Sequence, residues 1–136
     1  MALIFIADDD EIVRDLVQDA LRTSGHRAGA VTNGKDMLAA VWTRNPDLVI
    51  LDCNMPEYSG LLVLKELRNS MRFFDLPVIM LTGRTGSTDM GIALSAGADD
   101  YIGKPFAAEL VACRVDALLD RKRRAASTSP QVQTCG

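Results

Sequence analysis

The strongest constraint on the fold of this chain is an alternation: short apolar runs are separated by longer segments whose apolar residues recur at helical spacing. That pattern belongs to an α/β domain with a mostly parallel sheet, since parallel strands need helical crossovers and are buried on both faces. Leu3 to Ala7 is the first apolar run, and it ends in Asp8, Asp9 and Asp10. From Glu11 the residues Ile12, Val13, Leu16, Val17, Ala20 and Leu21 mark one stripe of a helix that closes at Ser24-Gly25. Residues 27–32 read as a weaker strand, interrupted by Gly29. Asn33, with Asp36 three residues on, caps a second helix carrying Met37, Leu38, Val41 and Trp42 until Pro46 stops it.

The pattern then repeats. Leu48 to Leu51 is a strand running straight into Asp52, followed by a Cys-Asn-Met-Pro-Glu-Tyr-Ser-Gly loop and a helix with Leu61, Leu62, Leu64 and Leu67. Pro77 to Leu81 is the fourth strand, ending in Thr82-Gly83, and a poor helix containing Gly91 spans about Asp89 to Ala96. Tyr101-Ile102 begins a short fifth strand ending at Lys104-Pro105, and a last helix from about Ala107 to Arg121 turns Leu110, Val111, Val115 and Leu118 inward. One domain over residues 1–121 accounts for all of this. Residues 122–136 are expected to be a disordered tail or the start of a linker, because Ala125 to Gly136 is rich in Ser, Thr, Gln and Ala and has no apolar period.

A length of 136 residues leaves room for one domain of ordinary size, and 48% apolar with 24% charged content argues against intrinsic disorder. Four of the 15 basic residues form the run Arg121 to Arg124, so residues 1–120 set 18 acids against 11 bases. Such a body offers no basic face for direct nucleic-acid binding and suits a cation or a basic partner. Cys53, Cys113 and Cys135 are odd in number and lack C-x-x-C spacing, which predicts free thiols in a reducing, cytoplasmic setting. The first apolar run meets three aspartates within a few residues, and no stretch approaches the ~18 apolar residues of a membrane span. Neither a leader nor a membrane contact is expected.

In an open parallel sheet, ligands bind beyond the carboxyl ends of the strands, where the strand order reverses. The conspicuous polar residues all fall at such ends: Asp8, Asp9 and Asp10 after strand one, Asp52 after strand three, Thr82 after strand four and Lys104 after strand five. In a flavodoxin-like order 2-1-3-4-5, a doubly wound five-stranded parallel sheet with helices on both faces, strands one and three are neighbours and their aspartates converge. Two unit charges ~4 Å apart repel by ~4 kcal/mol at an effective dielectric of ~20, so this convergence needs a compensating cation. Mg²⁺ prefers one or two carboxylates plus waters and phosphate oxygens, and one Mg²⁺ with one Lys ammonium balances the carboxylates of Asp8, Asp9 and Asp52. A carboxylate can itself be the nucleophile, so the spacing points to a Mg²⁺-dependent phosphoryl-acceptor site without an organic cofactor.

Four stretches now carry a resemblance: Ile-Phe-Ile-Ala-Asp-Asp-Asp, Pro-Asp-Leu-Val-Ile-Leu-Asp-Cys-Asn-Met-Pro, Pro-Val-Ile-Met-Leu-Thr-Gly and Ala-Gly-Ala-Asp-Asp-Tyr-Ile-Gly-Lys-Pro-Phe. In this order and spacing the chain resembles a response-regulator receiver domain of two-component signalling, of the chemotaxis-receiver type, over roughly residues 3–120. The resemblance implies that Asp52 is the phosphoacceptor and that Asp9, Asp52 and the Asn54 carbonyl bind Mg²⁺, with Asp8 acting largely through water. Asp10 is read as the helix cap rather than a ligand. Lys104 would pair with the acceptor carboxylate and then with the phosphoryl oxygens, its bond to Pro105 being cis. Thr82 and Tyr101 resemble the family's switch pair, which remodels the face made by the fourth helix, fifth strand and fifth helix. Gly83 stands where the family keeps a small residue for phosphoryl access, and Asn54 and Arg84 stand where dephosphorylation is tuned, in a direction left open.

The implied donor is a sensor histidine kinase or phosphotransfer protein, and the implied target is a downstream protein or an output domain outside this chain. A homodimer through the switch face stays open. The reaction is self-phosphorylation and self-dephosphorylation rather than turnover. A Mg²⁺-dependent phosphatase running through an aspartyl phosphate needs a second Asp two residues after the nucleophile, and Asn54 holds that place. The competing reading is a docking module of the same fold that works without phosphorylation. Other residues carry bland expectations: His26 exposed in a turn, Cys53 pointing away from Asp52 into packing, Trp42 as core or partly exposed filler, and Arg121 to Arg124 as a solvated helix end. Gly91 lowers the intrinsic stability of the fourth helix, which is therefore expected to be the element that shifts.

Overall fold

A computed structural model describes residues 1–83 and 87–127, without the side chains of 87–90, 126 and 127. The elements follow in strict alternation: β1 (Leu3–Ala7), α1 (Glu11–Thr23), β2 (Arg27–Val31), α2 (Gly34–Arg44), β3 (Leu48–Asp52), α3 (Gly60–Arg68), β4 (Val78–Thr82), α4 (Ser87–Ser95), β5 (Asp100–Gly103) and α5 (Ala108–Ser127). All strand pairs are parallel and the sheet order is β2-β1-β3-β4-β5, as expected. β1, β3 and β4 are buried residue by residue, which is why they read as unbroken apolar runs, whereas edge strand β2 is half-exposed.

Period-two alternation divides the core between the two faces of the sheet. Leu3, Phe5 and Ala7 pack with Val49, Leu51, Val78 and Met80 against α2, α3 and Ala93 of α4. Ile4 and Ile6 pack with Leu48, Ile50, Ile79 and Leu81 against Val17 and Leu21 of α1 and Val111, Val115 and Leu118 of α5. By the same parity Asp52 belongs to the α1/α5 side, while Cys53 packs against the other cluster, as its position in the sequence suggested.

Local signals set the helix ends. Asp10 caps α1 by accepting from the backbone N–H of Ile12, Asn33 caps α2 through Asp36, and Ser59 caps α3 through Leu62. Gly25, with φ 92, lets the chain turn from α1 into β2.

Four expectations need correction. The inward stripes are narrower than the apolar pattern: Ile12 and Leu16 of α1 are exposed, as are Leu62 of α3 and Leu110 of α5, because the sheet beneath each helix contacts only part of its apolar arc. Val63 and Ala112 are buried instead. α5 does not end at Arg121 but continues to Ser127. Its basic run favours helix, Asp120 pairs with Arg123 and Arg124 at 2.8 and 3.0 Å, and Lys122 reaches Asp75 at 3.1 Å. The first six residues assigned to the tail are thus helical, and Cys135 lies outside the described residues. His26 is not an exposed turn residue: its side chain is 10% exposed, its Nδ1 accepts from the backbone N–H of Ala2 at 3.1 Å, and its Nε2 lies 2.6 Å from Asp116 Oδ1. The parallel register of β1 and β2 sets the turn after α1 beside the start of β1, and the ring fills the joint with α5. No helix among the described residues is long and apolar enough to cross a membrane.

Candidate functional site

The register makes the site. Ile6 pairs with Ile50 and Ala7 with Leu51, so continuing β1 and β3 by one residue sets Asp8 level with Asp52. Both are buried, Asp8 at 0% and Asp52 at 3% exposure. Exposed Asp9 completes a group in which each of the three carboxylates offers an oxygen within 4.8 Å of the others. Two strand ends thus force like charges together, and burial removes the water that would screen them.

Each acid is then fixed by few partners. Asp8 Oδ1 accepts the N–H of Asp10, and its Oδ2 accepts Lys104 Nζ at 2.9 Å. Asp52 Oδ1 accepts the N–H of Asn54 at 3.2 Å and lies 3.5 Å from Lys104 Nζ. The lysine therefore sits closer to Asp8 than to the expected acceptor, bridging the two. Its backbone N–H donates to the carbonyl of Thr82, and the Lys104–Pro105 bond is cis. Burial works against the ammonium charge, but the hydrogen bond to Asp8 and the fields of Asp52 and Asp8 outweigh it and lift Lys104 above the usual lysine value. Asp52 moves the other way from a typical salt-bridged acid. Burial and then the charge of Asp8, with a smaller push from Asp9, raise it from 3.8 to about 6, against the opposing Asn54 N–H and Lys104.

Thr82 is 1% exposed at the end of β4. Tyr101 is half-buried, opposite Met80 in the register, and packs on the α4 side of the sheet. Strand parity puts Thr82 on that side too, and it lines a crevice of about 290 Å³ with Asn54, Cys53, Ser59, Leu61, Ile92 and Ala93. Gly83 opens onto free space, with no atom within 4 Å of where a Cβ would stand. Arg84 lies outside the described residues. Asp10, already spent as the α1 cap, does not join the acidic group.

The structure adds two supports that the sequence reading missed. Arg14, one turn into α1, donates to the backbone carbonyl of Asp8 at 2.9 Å and so fixes the bend that separates Asp8 from Asp9. Gly60 lets the first turn of α3 lie against β3: a Cβ there would stand 2.2 Å from the Asp52 carbonyl oxygen. A glycine directly after a Ser cap and three residues before a buried valine is a readable sign of such close packing.

Three carboxylates against one ammonium leave an excess negative charge at an all-oxygen donor set. This suits a hard divalent cation and, once a cation is present, a phosphoryl group. A doubly wound sheet with buried aspartates at the β1/β3 switch point defines a class of ligand-binding signalling and nucleotide folds.

Within that class the comparisons are specific. The family model described as the response regulator receiver domain matches residues 4–116, and the chain belongs to that family, the receivers of two-component signal transduction. It is 37% identical over 126 residues to the alkaline phosphatase synthesis transcriptional regulatory protein PhoP of Bacillus subtilis, covering 93% of this chain and 52% of that protein. It is 39% identical over 134 residues to the transcriptional regulatory protein PrrA of Mycobacterium bovis, covering 98% and 56%. The chain thus spans about half the length of the curated relatives it matches. Among solved structures, the receiver domain of the Francisella response regulator 1452 superposes with TM-score 0.84 at 29% identity, covering 90% of this chain and 99% of that one. The chemotaxis response regulator CheY4 of Vibrio cholerae superposes with TM-score 0.81 at 26% identity, covering 87% and 98%.

Proposed function

We propose that this chain works in the cytoplasm as a phosphoaccepting receiver, taking a phosphoryl group onto Asp52 from the phosphohistidine of a sensor kinase or phosphotransfer protein. In that step an Asp52 carboxylate oxygen forms the new bond to phosphorus as the bond from phosphorus to the imidazole nitrogen breaks. Asp8, Asp9, Asp52 and the Asn54 carbonyl would hold Mg²⁺, whose oxygen donors are the right kind for it. When bound, the ion neutralises charge on the phosphoryl oxygens. Lys104, already bridging Asp8 and Asp52, is placed to meet the same oxygens.

Thr82 would then bond a phosphoryl oxygen, and Tyr101 would turn further into the space beside it. The face of α4, β5 and α5 would carry the change to a downstream protein or to an output domain. Gly91 in α4 has nothing within 4 Å of where a Cβ would stand, and a glycine inside a helix lowers its intrinsic stability. Asn54 in place of an acid argues against turnover on a diffusible substrate.

The observation that carries this reading is the buried convergence of Asp8 and Asp52 on one ammonium, with Asp9 beside them. Incubation with acetyl phosphate and Mg²⁺ should add one labile phosphoryl group by intact mass. The Asp52→Asn variant should remain unmodified, and hydrogen exchange on the modified sample should change across α4 and β5. An unaltered wild-type mass would favour the phosphorylation-independent docking module.

A further inference from the structure

We infer that Arg14 is a positioning residue for the metal group, fixing the peptide that joins Asp8 to Asp9 so that the exposed Asp9 carboxylate stays aimed at an ion shared with Asp8 and Asp52. This rests on the phosphoacceptor reading and deepens it. Asp9 is the weakly held member of the three. Asp8 and Asp52 are buried and share Lys104, whereas the Asp9 side chain is exposed and has no hydrogen-bond or ion-pair partner among the described residues. Yet one of its oxygens lies within 4.8 Å of theirs. Its place must follow from the two peptide groups that flank it.

Both of those peptides are tied down. The one before Asp9 presents the Asp8 carbonyl, which lies past the end of β1 and accepts from Arg14 Nη1 at 2.9 Å. The one after it presents the Asp10 N–H, which donates to Asp8 Oδ1 at 2.9 Å. A planar peptide leaves only φ and ψ to turn, so holding the peptides on both sides of Asp9 sets the direction of its Cβ. The Arg14 backbone N–H also donates to the Asp10 carbonyl at 3.1 Å, so one residue grips the chain before and after Asp9. Arg14 is held in turn: Asp10 caps its helix through the Ile12 N–H, Val17 is fully buried, and Val13 packs against the α1/α5 core. Removing the guanidinium frees the peptide between Asp8 and Asp9 to rotate and takes the Asp9 carboxylate out of line. Charge alone acts the other way. A fixed cation repels a bound one, so the field of Arg14 weakens Mg²⁺ binding while its hold on Asp9 strengthens it, and the sign of the effect separates the two.

The test is titration of Mg²⁺ alone into the full chain, followed by the NMR amide signals of residues 8–10, with urea unfolding in EDTA for each variant. Arg14→Met keeps an apolar stem and removes the donor. It should bind Mg²⁺ about 10-fold more weakly, the loss expected for an outer partner of a metal site. Arg14→Lys should lie closer to wild type, because the contact uses one guanidinium nitrogen and an ammonium can donate in its place. In an Asp9→Asn background, adding Arg14→Met should change the affinity by less than about 2-fold, since the carboxylate it aims is already gone. Unchanged or tighter binding in Arg14→Met, even with a lower urea midpoint, overturns the inference, as does an undiminished loss on top of Asp9→Asn. Both outcomes leave the phosphoacceptor reading standing. A wild-type chain that takes up no Mg²⁺ overturns both the inference and that reading.

Discussion

The two ends of the sheet treat their acids in opposite ways. At the amino ends of the strands the acids have their own donors, exposed though Asp47 and Asp99 are. Asp47 accepts the Leu3 N–H at 2.8 Å, and Asp99 accepts the Val78 N–H at 2.8 Å and Arg68 at 3.0 Å. Arg68 also donates to the carbonyls of Gly97, Phe74 and Leu76, tying α3 to the loops before β4 and β5. At the carboxyl ends, Asp8 and Asp52 share one lysine, and Asp9 stands beside them. Acids that are satisfied one by one hold the fold together, whereas acids crowded onto few donors repel one another and suit a cation.

This contrast can be broken by substitution, and the largest effect is expected where satisfaction is most complete. Arg68→Ala takes from exposed Asp99 one of its two donors, leaving it the Val78 N–H, and removes the guanidinium from three carbonyls; it should cost about 3 kcal/mol of unfolding free energy in urea, with Mg²⁺ affinity unchanged. A loss below about 1 kcal/mol would show that the amino-end network is ornamental. Asp52→Asn should act in the opposite sense and stabilise the metal-free chain by about 2 kcal/mol at neutral pH. Ionising Asp52 is harder in the folded chain than in the unfolded one, so its contribution is whole below 3.8 and is lost as pH rises through about 6. Urea unfolding across that window should therefore show wild type losing stability relative to Asp52→Asn as pH rises, and parallel curves would contradict the crowding. The smallest effect is at His26, where replacement by Ala should cost about 1 kcal/mol through the lost Ala2 and Asp116 contacts and leave acetyl-phosphate labelling intact.

The same division explains what could be read from the chain before its fold was known. The carboxyl-end residues announce themselves, because Asp8, Asp9, Asp52, Thr82 and Lys104 each stop an apolar run, and a parallel sheet leaves only one place for such residues to meet. The supports are silent, since each depends on a partner distant in sequence. His26 meets Asp116, Arg68 meets Asp99, and Lys122 meets Asp75, and no local spacing encodes those pairings. The overlong apolar stripes of α1 and α5 have the same origin: periodicity gives the direction of the buried face but not its width, so Ile12, Leu16 and Leu110 read as core and are exposed. The last helix outran its expected end because surface ion pairs around Asp120 sustain it where no apolar period does.

Strand parity has one more consequence. Leu48, Ile50 and Asp52 look toward α1 and α5, whereas Val78, Met80 and Thr82 look toward α4. The sheet is a partition between two helical compartments, and along most of its height nothing passes through. Only at its upper rim, where the strands stop and backbone gives way to loops, can an atom be within reach of both rooms. A substituent added at Asp52 would stand on that rim, on the one stretch of the sheet that faces both compartments.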